Sequence, residues 1–90
     1  MGTKSSKGYS VHVKLNGKTF NIESDSLKDA FVSMVAGIKA VKTKIFINIE
    51  GKEGTCNRVV MPAKGRQMLR NEKYIDIFIK HLIFKPYVHR

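Results

Sequence analysis

The sequence predicts an α+β fold, a small single domain in which two β-hairpins form an antiparallel sheet and two helices pack mainly on one face of it, in the order ββαββα. Three observations carry this expectation. Two stretches alternate apolar and polar residues on either side of turn signals, Asn16-Gly17 and Lys52-Glu53-Gly54. Each is followed by apolar residues at helical spacing. Finally, 90 residues of which 42% are hydrophobic are too apolar for a disordered basic tail and suffice for one thin core. Residues 1–8 read as a flexible basic arm, 9–86 as the domain, and 87–90 as a short tail.

In the first hairpin Tyr9, Val11, Val13 and Leu15 alternate with Ser10, His12 and Lys14. Asn16-Gly17 then supplies the two positive-φ positions of a type I′ turn before a return strand from Lys18 to Ile22. A two-residue turn there sets Val13 opposite Phe20 and Val11 opposite Ile22, so one face is apolar and the other wet. The first helix starts at Ser26, with Asp29 in the capping position and Leu27, Phe31, Met34, Val35 and Ile38 on one stripe. Gly37 weakens its end, and Lys39 and Lys42 suit the negative end of its dipole.

The second hairpin pairs Lys44–Glu50 with Cys56–Met61 through a three-residue loop, Lys52-Glu53-Gly54. That loop length sets Ile47 against Val59 and Ile45 against Met61 on the inner face, with Asn48 against Arg58 and Phe46 against Val60 outside. Pro62 ends the strand or opens a further helix. Tyr74–Phe84 fits both a helical and an alternating period. A helix from about Asn71 to Phe84 is preferred because Asn71-Glu72 resembles a helix start and Pro86 a stop. Such a helix, apolar nearly all round, points to a homodimer built through the Tyr74–Phe84 segment.

Seventeen Lys and Arg against seven Asp and Glu give a formal net charge of +10. An excess of this size asks for an anionic partner. The cations concentrate between Lys39 and Lys73. Within that stretch Pro62-Ala63-Lys64-Gly65-Arg66 reads as a loop whose glycine admits a phosphate, with Arg66 and Arg70 on one side if the segment is helical. On the outer sheet face Lys14, His12, Lys44, Asn48 and Arg58 surround Phe46, the aromatic-within-basic pattern used to stack unpaired bases; the structural alternative is that Phe46 and Val60 form a small apolar patch covered by the terminal segment. The candidate nucleic-acid-binding residues are therefore Lys14, Lys44, Phe46, Arg58, Lys64, Arg66, Arg70 and Lys73.

Enzymatic chemistry finds no support. His12, His81, His89 and Cys56 lack ligand or nucleophile-pair spacing, the carboxylates all have surface or capping roles, and no glycine motif for nucleotide binding is present. No cofactor or metal is expected. With Cys56 as its one cysteine the chain can form no internal disulfide, and cytoplasm, or a host cytoplasm for a viral product, is the expected compartment. No apolar run reaches the roughly 20 residues of a membrane span. Gly2 matches a short acylation pattern, which with the net charge offers a third, lipid-surface reading. The leading expectation is a small non-enzymatic nucleic-acid-binding protein with weak sequence specificity, contacting DNA or RNA through its phosphates. The alternative is a phage or mobile-element adaptor or inhibitor that sets its basic face against an acidic host protein.

Overall fold

The computed structural model describes residues 8–86, so the N-terminal arm apart from Gly8, Gly2 within it, and the 87–90 tail lie outside the described residues. The chain runs β1 (Tyr9–Leu15), β2 (Lys18–Ser24), α1 (Leu27–Ala36), β3 (Ile45–Gly51), β4 (Gly54–Val60), α2 (Pro62–Arg70) and α3 (Glu72–Lys80). The strands form one antiparallel sheet in the order β2-β1-β3-β4. The α+β class and the outline of the ββαββα order are as the sequence predicts. The second helical region, however, is two helices.

The first hairpin adopts the register set by its turn, with Val13 opposite Phe20 and Val11 opposite Ile22. Asn16 at φ +53 and Gly17 at φ +79 fill the two turn positions that require positive φ. Ser26 caps α1, its hydroxyl accepting from the Asp29 amide at 3.3 Å. The core lies between the sheet and α1, α2 and α3. Val11, Val13, Leu15, Ile45, Ile47, Ile49, Cys56 and Val60 project from the strands onto Ala30, Phe31, Met34, Met68 and Ile75.

The second hairpin departs from the expected register by one residue. Ile45 pairs with Val60, Phe46 with Val59, Ile47 with Arg58, Asn48 with Asn57, and Gly51 with Gly54. The turn is therefore Lys52-Glu53 alone, and every side chain of β4 changes face. Burial decides the choice. The expected register sets Asn57 opposite Ile49 beneath the helices, where an unpaired amide costs roughly 1–3 kcal/mol. The observed one sets Cys56 there, 4% exposed, and turns Asn57 to solvent.

Pro62 opens α2 at its first position. The segment Pro62–Arg66 is thus the start of a helix, not a phosphate-admitting loop. Gly65 serves packing: a Cβ there would stand 2.8 Å from Ile45 Cδ1 and 3.2 Å from Val41 Cγ1. Asn71, at φ −148 and ψ 122, ends α2 and caps α3 by accepting from the Lys73 amide at 3.0 Å. α3 stops at Lys80, four residues before the expected end at Phe84. Extended backbone beyond it lets Lys85 exchange two hydrogen bonds with Thr55, of 2.8 and 2.9 Å, on the free edge of β4.

Gly54 makes that clasp possible. Its φ is +140, and a Cβ would fall 1.8 Å from the Lys85 carbonyl oxygen and 2.6 Å from the carbonyl carbon, which are rigid backbone atoms. Gly54→Ala is expected to expel the 82–86 segment from the β4 edge and to destabilise the domain by about 1–3 kcal/mol. Amide exchange checks this, since the Thr55 and Lys85 amides lose protection before the rest of the sheet does.

Candidate nucleic-acid interface

All three helices pack on one face of the sheet, and among the described residues none covers the other. The registers of the three ladders arrange its side chains in rows that cross all four strands. One end row holds Glu23, Ser10, Glu50 and Thr55. The middle row holds Asn21, His12, Asn48 and Asn57. The next holds Thr19, Lys14, Phe46 and Val59, and beyond it the alternation places Lys44 beside Met61.

The middle row is tied together in pairs: His12 Nδ1–H donates to Asn21 Oδ1 at 2.7 Å, and Asn48 Nδ2 donates to Asn57 Oδ1. Beside it Phe46, Val59 and Met61 stand 50%, 54% and 54% exposed, an apolar patch bordered by Lys14 and Lys44. A shallow concavity of about 380 Å³ runs between the two rows, lined by His12, Lys14, Thr19, Phe46, Asn57 and Val59 among others. An aromatic ring half out of water, with cations and amides around it and no carboxylate in either row, presents a π face and hydrogen-bond groups to a flat ligand.

The eight residues expected to bind nucleic acid do not share one surface. Lys14 and Phe46 lie on the open face, with Lys44 just before β3. Arg58 is among the residues lining the concavity, but its guanidinium does not join that face. The register shift turns it to the helix side, where its guanidinium carbon lies 5.9 Å from the Phe78 ring centroid as a cation–π contact. Lys64, Arg66 and Arg70 are on α2 and Lys73 in the first turn of α3. With Gly65 and Met68 buried, the 100° step of a helix turns Arg70 outward and sets Arg66 and Lys64 on its flanks. Arg66 Nη1 donates to the Val41 carbonyl at 3.1 Å, so this arginine also ties α2 to the loop after α1.

A second order appears along the strands. The Asn16-Gly17 turn, the loop from Gly37 to Lys44, the end of β4 and the start of α2 meet at one end of the molecule. This end carries Lys14, Lys18, Lys39, Lys42, Lys44, Lys64 and Arg66. The seven acidic residues belong to the other end. Glu23 and Glu50 flank Ser10, Glu53 is in the far turn, and Asp25 accepts from the Gly8 amide at 3.1 Å. Asp29 is in the first turn of α1, while Asp76 and Glu72 meet Lys28 at 2.7 and 3.8 Å. The Asp76 carboxylate, hydrogen-bonded to Lys28, raises that lysine above its ordinary value.

Local electrostatics sharpen the polarity. α1 ends at Ala36 with no basic residue in its last turn, so Lys39 and Lys42 lie beyond the helix end expected to account for them. α2 begins at the basic end with no side-chain cap and no acid in its first turn, and Lys64 sits at the positive end of its dipole. A cation so placed is destabilising by about 0.3–1 kcal/mol, which a bound anion relieves.

Sequence reasoning did not find Val59, Met61 and Asn57 as members of the open face; the cost of burying Asn57 was the signal that could have fixed the register. It did not place Lys18 at the basic end, and it assigned Lys39 and Lys42 to a helix terminus. Among the described residues no three of His, Cys, Asp and Glu are grouped to hold a metal, and no helix is long and apolar enough to cross a membrane. No protein-family model, curated protein or solved structure matches this chain.

Proposed function

We propose that this chain is a non-enzymatic binding module for single-stranded nucleic acid, with Phe46 stacking on a base and Lys14 and Lys44 meeting the adjoining phosphates. The observation that carries the reading is the half-exposed Phe46 on a sheet face that no described residue covers, in a row with Lys14 and next to a row of amides. An uncovered four-stranded sheet with a protruding ring suits unpaired bases, whereas stacked bases in a duplex offer no face to it. The net charge of +10, with Lys14, Lys18, Lys39, Lys42, Lys44, Lys64 and Arg66 at the end away from the acids, supplies the sequence-independent attraction. Arg70 and Lys73, on the helical layer, add to the field without touching a strand that lies on the sheet.

A cytoplasmic site of action and a homodimer belong to the same proposal. Within the Tyr74–Phe84 segment the surface left for a second copy is centred on Ile77 and Ile83, 40% and 76% exposed. Phe84 already meets Tyr9, their ring centroids 6.3 Å apart, and Phe78 meets Phe31.

Binding of single-stranded DNA, single-stranded RNA and duplex DNA, titrated against salt, tests the function. Single strands are expected to bind more tightly than duplex at about 50 mM salt, with a log–log slope near −0.7 for each phosphate neutralised. Absence of single-strand binding at that salt refutes the reading. Binding to an acidic protein in its place would favour the adaptor alternative, for which the same lysines are suited.

A further inference from the structure

Behind the Asn16-Gly17 turn, on the helix side of the sheet, lies a second concavity, of about 510 Å³. Lys18, Lys39 and Lys42 line it, over a floor that includes Phe20 and Ile38. Its wall is fixed by Asn16. The Asn16 amide Nδ2 donates to the Ala40 carbonyl at 2.8 Å, its Oδ1 accepts from the Lys42 amide at 2.9 Å, and its backbone N–H donates to Thr43 Oγ1 at 3.0 Å. The loop bearing Lys39 and Lys42 is thereby held against the turn that bears Lys18. No carboxylate lines the concavity, and the acidic residues are gathered at the other end of the molecule.

Three like charges drawn around one hollow repel one another; the C-terminal end of α1, whose cap Gly37 also lines the hollow, offsets them only in part, and no carboxylate in the lining does. We propose that this notch is a phosphate-binding site, and that it receives a backbone phosphate of the strand whose base stacks on Phe46. The second half of this statement rests on the nucleic-acid reading; the first half does not. Lys14 and Asn16 are separated by Leu15 alone, so a strand leaving the open face past Lys14 rounds the turn directly into the notch. Point-charge ammonium groups, with no guanidinium fork among them, suit a phosphate that must be held in passing.

Two measurements separate the halves. Inorganic pyrophosphate titrated into 15N-labelled protein is expected to shift the amides of Asn16–Lys18 and of residues 37–42, and to leave them unmoved in the triple variant Lys18→Gln, Lys39→Gln, Lys42→Gln. Amides around the notch that do not respond overturn the site. With a single-stranded oligonucleotide, the triple variant is expected to lose up to about two units of salt slope. A Phe46→Trp reporter placed in the same variant still shows base quenching at saturation. An unchanged slope overturns the assignment of the notch to the strand. Pyrophosphate binding at the notch without any oligonucleotide binding overturns that assignment too, and with it the nucleic-acid reading, while leaving the anion site standing.

Discussion

Phe46→Ala is expected to weaken single-strand binding roughly 5- to 150-fold, the range that loss of one base–aromatic stack produces. The ring is 50% exposed and faces away from the helices, so its removal opens no cavity in the core, and thermal stability is expected to stay within about 0.5 kcal/mol of the parent. The salt slope is the discriminating readout. Stacking neutralises no phosphate, so Phe46→Ala lowers affinity at every salt concentration by the same factor and leaves the slope as it was. Lys14→Gln with Lys44→Gln does the reverse, removing about 0.7 units of slope per lysine and losing its effect as salt rises. An unchanged affinity in Phe46→Ala would mean that the ring is not a stacking platform. The open face would then be the surface of some other contact.

Most of what places β1, β2 and α1 was legible in the sequence because local rules fix it. Asn16-Gly17 admits one hairpin geometry, and that geometry dictates which residues of β1 and β2 face water. The Ser26 cap and the apolar stripe after it place α1 with equal economy. The second hairpin was less legible because Gly51, Lys52, Glu53 and Gly54 can form a turn of either parity. The tie is broken far away, by what the helices can tolerate beneath β4. Arg58 changed face with that choice, and a residue counted among the phosphate contacts became a cation over Phe78.

The division of the last third into α2 and α3 follows from Asn71, whose side chain caps a new helix as its extended backbone ends the old one; sequence periodicity registers the start and misses the corner. The stop at Lys80 depends on Thr55, thirty residues back along the chain from the Lys85 it pairs with, a partner that no local pattern reveals. The charge polarity of the molecule was hidden for the same reason. Lysines 18, 39 and 42 are scattered in sequence and gathered by the hydrogen bonds of Asn16 to the loop after α1.

Phe31→Ala is expected to do the opposite of Phe46→Ala, leaving the binding face intact and threatening the fold. Phe31 is fully buried in α1 and meets Phe78 of α3 edge to face, ring centroids 5.3 Å apart and planes at 81°. It joins two helices to each other and to the sheet, and Phe78 in turn carries the Arg58 guanidinium. Truncating a buried phenylalanine costs about 3–5 kcal/mol through lost transfer energy and the cavity left behind. At roughly 0.05–0.15 kcal/mol per residue, a domain of this length has about 5–13 kcal/mol in all. The expected fall in melting temperature is therefore roughly 12–40 °C, enough to leave part of the population unfolded at 37 °C. Thermal melts of the two phenylalanine variants side by side check this. If Phe31→Ala melts like the parent, Phe31 is not the joint between the helices, and the face it supports must be held by the strand ladders alone.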